Sequence, residues 1–353
     1  FRIWKTFFRP LPTVHRLMTT SDIHPEDSAR LASLPSDRVA FVRIGPDADG
    51  QRLDNFLVRV AKGVPKSHIY RIIRSGEVRV NKARAKAETR LAEGDLLRLP
   101  PVRVSERAVT KAPPAALAEG TVPVLFEDRH LLIVNKPAGL AAHGGSGISH
   151  GLIERMRASR PDVPFLELAH RLDRETSGAI ILCKTRKALV RFHDMMKTRA
   201  VEKHYTLLVK GDWPDDRRHV KAPLLRYLLP SGERRVRVDE KEGMPSHTIF
   251  TKLKRYGAVT LLDAELLTGR THQIRVHSLS VGFPLVGDDK YGDFEFNRQV
   301  AQGALGVPLK RMFLHSRTLA FEHPVTGEAV RVEAPLWPDC EALLAALDKK
   351  GQK

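Results

Sequence analysis

The sequence predicts an α+β chain of two domains: a small basic unit near the N-terminus and a larger domain built on a mixed, largely antiparallel β-sheet. Three observations lead there. From residue 123 onward, short apolar runs of strand character (124–126, 131–134, 179–182, 205–209 and 259–262) follow one another, with a few helical stretches between them, notably 150–159 and 186–198. A doubly wound parallel sheet needs helices in regular alternation with strands, and that alternation is missing. Residues 101–122 are rich in Ala and punctuated by Pro101, Pro113 and Pro114, which makes them a semi-extended spacer between two folded units. Residues 51–100 carry a compact pattern of their own.

In that first unit, Leu53, Phe56, Leu57 and Val60 recur at helical spacing, and Gly63-Val64-Pro65 ends the helix. Ser67 is expected to cap a second helix, in which Ile69, Ile72 and Ile73 face inward and Gly76 supplies the stop. Val78 and Val80 then alternate as a strand. Asn81-Lys82 and Gly94-Asp95 make turns, the second leading into Leu96, Leu97 and Leu99. Residues 51–100 hold eight Arg and four Lys against five acids, a net of +7. Lys66, Arg71, Arg74 and Arg79 lie around the second helix and the strand after it. Most charge runs are simply solvated faces, but one sign on one unit favours a track for phosphates.

The whole chain of 353 residues carries 59 Lys and Arg against 41 Asp and Glu, a formal charge of +18. The expected partner is therefore a polyanion, nucleic acid ahead of an acidic membrane surface. No apolar run approaches the roughly 18 residues of a membrane-spanning helix. Two cysteines, Cys183 and Cys340, exclude a disulfide scaffold and a cysteine-rich zinc site. Residues 1–17 are basic without an acid, which fits a short presequence, but they lack the continuous apolar stretch of a secretory signal; an over-long start, with Met18 as the true one, is the favoured expectation. The domain limits expected are a flexible extension over 1–40, the basic unit over 41–100, the spacer over 101–122, the large domain over 123–345 and a basic tail over 346–353.

Four segments bear chemistry. In His170-Arg171-Leu172-Asp173-Arg174-Glu175-Thr176-Ser177-Gly178, Asp173 stands between two arginines just before a buried strand. Neighbouring cations keep a carboxylate ionised, and an ionised Asp in a partly enclosed site serves as nucleophile, base or ligand. A salt-bridged turn is the plainer alternative. Residues 267–277 pack Arg270, His272, Gln273, Arg275 and His277 together. Histidines five apart fit neither a helical zinc pair nor one face of a strand, whereas the arginines suit phosphate or carboxylate. One of the two histidines at least is expected to be an ordinary structural group. Tyr205, opening a strand after Lys203-His204, is able to stack on a base while its hydroxyl handles a proton. Asn135-Lys136-Pro137-Ala138-Gly139-Leu140 closes a strand and leaves Lys136 at a sharp exit. The Gly-rich stretch His143-Gly144-Gly145-Ser146-Gly147 fits neither a phosphate loop nor a dinucleotide fingerprint.

Together these segments resemble the RluA-type pseudouridine synthases. Residues 170–178 resemble that family's catalytic signature, and 135–140, 203–205 and 269–277 resemble its other motifs in order. The 51–100 unit resembles an S4 RNA-binding domain in Arg52-Leu53-Asp54, in residues 76–81 and in Gly94-Asp95, with Lys82 where Gly is common. Residues 62–67, 143–147 and Asp289-Lys290-Tyr291-Gly292-Asp293 bring the resemblance nearest to the members acting on large-subunit ribosomal RNA.

The resemblance implies a pseudouridine synthase fold and isomerisation of specific uridines in 23S ribosomal RNA, with no cofactor and no metal. It implies that the uridine is flipped out of its stack. Asp173 attacks the sugar to break the C1′–N1 bond or assists that cleavage by a glycal route, and the freed uracil rejoins through C5. Arg275 pairs with Asp173, and Tyr205 packs on the uracil. Arg171 fills the vacancy in the stack. His170, Lys136 and Arg270 are expected at the RNA alongside Arg171, with Lys66, Arg71 and Arg74 on the S4-like unit. A cytoplasmic monomer with RNA as partner, and neither membrane nor nucleotide cofactor, completes the expectation. The alternatives are another family member with different ribosomal or transfer RNA targets, a non-catalytic S4-type binder, and a metal-dependent RNA phosphoesterase using Asp173, His170 and His272. The last needs a second carboxylate, and the motifs supply only Glu175.

Overall fold

The computed structural model describes residues 39–45, 48–61, 64–101, 122–144, 151–163 and 165–351. All but the last two residues of the expected N-terminal extension, most of the spacer and the end of the Gly-rich stretch lie outside them. The chain divides into two units, which part at residues 110 and 111.

The first unit runs β1 (Ala40–Arg43), α1 (Leu53–Val60), α2 (Lys66–Arg74), β2 (Arg79–Val80), β3 (Ala83–Arg84) and β4 (Leu96–Leu99). Its four strands pair antiparallel in the order β1-β4-β2-β3. Leu53, Phe56 and Leu57 of α1 meet Ile69, Ile72 and Ile73 of α2 over Val42, Val78, Leu97 and Leu99. This is the pairing that the helical spacing dictates, since residues three and four apart share a face. The cap of α2 differs from the expected one. Pro65 is the N-cap, with φ −57°, and its carbonyl accepts from His68 and Ile69 N–H at 2.9 and 3.2 Å. Proline's fixed φ starts the helix two residues early, so Ser67 falls inside the first turn and caps nothing. Gly76 does end the helix, at φ +75°. Asn81 and Lys82 both take positive φ in the two-residue turn from β2 to β3, which is the primed geometry of a tight hairpin.

The second unit begins with β5 (Val124–Glu127), β6 (Leu131–Lys136), α3 (Leu152–Ala158), β7 (Glu167–Leu168), β8 (Ser177–Cys183) and α4 (Arg186–Lys197). It continues through β9 (Val201–Lys210), β10 (Arg217–Val220), β11 (Leu224–Leu228), β12 (Arg234–Val238), β13 (Thr248–Arg255) and β14 (Val259–Leu266). It ends with α5 (Gln273–Ser280), α6 (Phe294–Ala301), β15 (Leu314–Glu322), β16 (Ala329–Glu333) and α7 (Pro338–Gly351). Ten strands form one sheet, ordered β10-β13-β14-β9-β15-β8-β6-β5 with β16 on β15 and β7 on β8. The pair β8–β15 is parallel and the other pairs are antiparallel, so the fold is the mixed, largely antiparallel α+β that the sequence predicts. β11 and β12 form a hairpin of their own.

The inner strands are buried on both faces, which is why they read as unbroken apolar runs. Leu132 and Val134 of β6 face Leu152, Ile153 and Met156 of α3, while Leu131 and Ile133 face Phe192 of α4. α6 and α7 close a third cluster through Val300, Leu343 and Leu347. Burial of Leu347 carries α7 on to Gly351, so residues 346–351 are the last turns of a packed helix and not a separate basic tail. Cys183 and Cys340 are buried and unbridged. Among the described residues, no helix is long and apolar enough to cross a membrane.

At the start of β8 the backbone of β15 comes unusually close. Gly178 has φ +110°, and a Cβ there would lie 2.3 Å from the Ser316 carbonyl oxygen. Only glycine allows this approach, which fixes the loop entering β8. That loop carries Asp173.

Candidate active site

The loop between β7 and β8 is held from below. Thr176 N–H donates to Asp173 O at 3.1 Å, and Lys136, fully buried at the end of β6, donates through Nζ to the carbonyls of Pro137, Leu140 and Arg174 at 3.0, 2.8 and 3.1 Å. Three acceptors match the three protons of an ammonium. Burial pushes this amine down to about 7, with the charges of Glu175 and Asp173 pulling the other way. Lys136 thus ties two loops together and does not face RNA as expected. Ser177 adds to the support: its Oγ meets His315 Nδ1 at 2.9 Å and accepts from Arg311, itself paired with Asp339.

His170 also departs from expectation. Its Nε2 accepts from Ile181 N–H at 3.2 Å, its ring stacks on Phe192, and burial pushes it down to about 4. It is a half-buried group held on the α4 side of the sheet by Phe192 and the Ile181 amide.

The arginines beside Asp173 in the chain do not hold it. Arg174 pairs with Glu175 at 2.7 Å, and Arg171 is exposed without a partner among the described residues. The groups facing the Asp173 carboxylate come instead from the 267–277 segment. Arg275 Nη1 lies 3.8 Å from Asp173 Oδ2 and His272 Nε2 lies 3.9 Å from the same oxygen. The Asp173 side chain keeps 29% of its surface open, against 2% for that of Arg275.

Local chemistry shapes that segment. The Gln273 side chain accepts from Thr268 Oγ1 and Arg270 N–H and donates to His247 O and Thr248 Oγ1, which binds the turn to β13. His272 takes φ +54° as the chain enters α5. The two histidines then part. His272 faces the site, while His277 is buried among Thr248, Ser246 and Ala222 O, the structural role expected of one of them. Gln273 to Ser278 are all buried, so α5 has no polar face and no helical periodicity to betray it.

The principal partner of Arg275 is Asp288. Nε and Nη2 reach its carboxylate at 2.7 and 2.6 Å, and Nη2 also reaches Asp289 at 3.0 Å. Asp288 is fully buried and accepts in addition from Lys290 and Tyr291 N–H at 2.8 and 2.9 Å. Burial opposes both charges, but each is more than offset: Arg275 is raised by Asp288, then Asp173 and Asp289, and Asp288 is lowered by Arg275 and the two amides. The fork is pinned on one side and offers Nη1 to Asp173 on the other. The sequence reading missed Asp288 as a site residue. The signal was present, since a buried Arg requires a carboxylate and an Asp pair stands thirteen and fourteen residues on.

Tyr205 lies on β9 with 6% exposure, opposite Ser316 and Ala264, and packs in the same cluster as Leu172 and Ile274. Burial first, and then the charge of Asp173, push its hydroxyl up to about 12, so it remains a phenol. Arg270 is exposed, with Nε donating to Pro245 O at 3.2 Å. In the first unit, Lys66, Arg71 and Arg74 are exposed on α2. Arg71 faces the His68 ring and Arg74 the Tyr70 carbonyl, and no acid pairs with any of the three among the described residues. No group of three or more His, Cys, Asp or Glu among the described residues is placed to hold a metal ion.

Residues 130–280 match the RNA pseudouridylate synthase family and residues 51–97 the S4 domain. The chain is 50% identical over 317 residues to the ribosomal large subunit pseudouridine synthase C of Salmonella typhi, covering 88% of this chain and 98% of that protein. It is 51% identical over 303 residues to the protein of that name in Escherichia coli K12, covering 84% and 93%. The solved structure of human RNA pseudouridylate synthase domain containing 4 shares the fold, at 23% identity and a TM-score of 0.52 over 64% of this chain and 93% of that one. Matched in both units, and with relatives at half identity along nearly their whole length, the chain belongs to the RNA pseudouridylate synthase family of isomerases and carries an S4 domain ahead of its synthase domain.

Proposed function

We propose that the protein isomerises specific uridines of 23S ribosomal RNA to pseudouridine, with Asp173 as the reacting carboxylate and no cofactor. The observation that carries this reading is a part-open Asp173 faced by Arg275 Nη1 at 3.8 Å, with that arginine locked from behind by Asp288. The full-length similarity to large-subunit synthases supports the choice of RNA.

A flipped uridine enters over Asp173. In one route a carboxylate oxygen bonds to C1′ as the C1′–N1 bond breaks, and the electron pair leaves with the uracil ring. In the other the carboxylate assists departure through a glycal. The uracil then turns and C5 bonds to C1′, displacing the carboxylate oxygen in the first route and, in the second, with return of the C2′ proton that the carboxylate took to form the glycal; the C5 proton is lost and N1 gains one, so the product is an isomer of the substrate. Arg275 keeps the carboxylate aimed, a task for a planar fork that a lysine does not match. Tyr205 packs beside the uracil and, held protonated by burial, presents a donor. Arg171, exposed and unpaired next to Asp173, fills the space left by the flipped base, and Arg270 contacts phosphate. The test is modified-base mapping of 23S ribosomal RNA from cells lacking the protein. Loss of pseudouridine at a defined set of uridines, restored by the wild-type gene, is expected; an unchanged map sinks the reading.

The S4 domain supplies affinity and register. Replacing Lys66, Arg71 and Arg74 together by Ala removes up to three phosphate contacts, each worth about 0.7–0.9 in the logarithmic salt slope. The slope of ribosomal RNA binding is expected to fall by about 2 while the rate on a short saturating RNA stays near wild type. An unchanged slope, measured by filter binding across a salt series, would assign α2 another task.

A further inference from the structure

Tyr291 stands among the groups behind Asp173. Its ring lies edge-on to His272 at 5.4 Å between centroids, with the Arg275 guanidinium 5.1 Å and the Arg235 guanidinium 5.5 Å from its centre. Its backbone N–H donates to Asp288, the acid that pins Arg275. Its hydroxyl makes two contacts: it accepts from Val236 N–H of β12 at 2.9 Å and lies 2.8 Å from His272 Nδ1.

These two contacts decide where the protons sit. A phenol has one proton to give. With Val236 already donating to the oxygen, and no other acceptor for the hydroxyl among the described residues, that proton goes to His272 Nδ1. Nδ1 is then the acceptor of the ring, and Nε2 carries the hydrogen. Nε2 is the atom 3.9 Å from Asp173 Oδ2. That distance exceeds a hydrogen bond, but such contacts tighten when substrate closes a site. The groups around the ring agree with a neutral imidazole. Burial comes first, and Arg275 and Lys290 oppose a charge on it, against Asp173 and Asp288, which favour one.

The hairpin is tied to the same point. Leu224 of β11 and Val236 of β12 pack on Val276 of α5, Arg235 donates to the Lys290 carbonyl, and Lys290 pairs with Glu233. The hairpin therefore reaches Asp173 through Tyr291 by two paths, one by way of His272 and one by way of Arg275.

We infer that Tyr291 and His272 are positioning residues for Asp173: Tyr291 sets His272 as the Nε2–H tautomer, and that N–H orients the carboxylate, which couples the β11–β12 hairpin to the reacting group. The inference rests on the proposed role of Asp173 as that group.

The test uses the full chain labelled with 15N-histidine, the His272 signals being assigned by their loss in His272→Gln. The native ring should show an unprotonated Nδ1 and a protonated Nε2, and Tyr291→Phe should give a mixture of tautomers. Under single turnover, Tyr291→Phe should slow pseudouridine formation by about 10- to 100-fold, the size of effect a misplaced reacting group produces. The half-saturating RNA concentration should stay within about twofold, because only the hydroxyl is removed. His272→Gln, which keeps a donor near the Nε2 position, should retain more activity than His272→Leu at a temperature where circular dichroism shows both folded. A native Nδ1–H ring, a full single-turnover rate in Tyr291→Phe, or equal losses in the Gln and Leu variants would overturn the inference. The tautomer is read without turnover. An Nε2–H ring alongside a fully active Asp173→Asn would therefore bring down the chemistry assigned to Asp173 and leave the Tyr291–His272 assignment standing.

Discussion

Asp173→Asn is expected to abolish pseudouridine formation, by at least about 10³-fold in single-turnover rate, while leaving RNA binding and folding near wild type. The substitution is nearly isosteric, removes the charge and leaves only a weakly nucleophilic, weakly basic amide oxygen. Stability should barely change, because Asp173 is part-exposed and its contact with Arg275 is the longest of that arginine's three ion pairs, at 3.8 Å against 3.0 and 2.6 Å. The loop keeps its shape through Lys136 and the Thr176 amide, neither of which touches the Asp173 carboxylate. Asp173→Glu tests positioning separately. The carboxylate survives but moves by about one methylene, and a displacement near 1 Å costs on the order of 10² in rate. A near-normal rate for Asp173→Asn in a preparation free of wild-type enzyme would refute the proposed chemistry.

Arg275→Met is expected to destabilise the second unit by about 3–5 kcal/mol and to stop turnover as well. The cost lies mainly in Asp288. Its carboxylate is fully buried and keeps two backbone amides, but it loses the cation that offsets its desolvation. The double variant Arg275→Met, Asp288→Asn should therefore recover much of the stability, since a neutral amide needs no counter-charge, and should recover none of the activity, since Asp173 still lacks its partner. Denaturant unfolding of the single and double variants gives the coupling directly. If the double variant were as unstable as the single one, the Arg275–Asp288 pair would not be the centre of the site's support. Arg275→Lys should rescue little, because a point charge cannot reproduce the planar fork that grips Asp288 through two nitrogens and presents a third to Asp173.

How much was legible differs between the two units. In the S4 domain the helical spacing of Leu53, Phe56 and Leu57 and of Ile69, Ile72 and Ile73 names the core outright, because short-range periodicity and local packing coincide there. The cap of α2 was misjudged. A hydroxyl side chain is a strong capping signal, but Pro65 fixes its own φ and imposes the helix start. In the synthase domain the strand runs were readable because both faces of the sheet are covered. α5 was not, since a helix whose first six residues are all buried shows no amphipathic stripe.

The sequence by itself determined the class of fold, the polyanionic partner, and the stretches around Asp173, Tyr205 and Arg275 that mark the family. These are properties of composition, period and local order, which survive without coordinates. The tertiary structure decided which charges meet. Arg171 and Arg174 are neighbours of Asp173 in the chain and leave it to Arg275, about a hundred residues away; Lys136 and His170 turn inward to carbonyls and an aromatic ring; and Asp288, part of no expected site, holds the arginine that faces Asp173. The reason is physical. A side chain's partner is set by where the backbone points it and by the cost of burying a charge unpaired, and both depend on strands and loops that pack together only once the chain has folded.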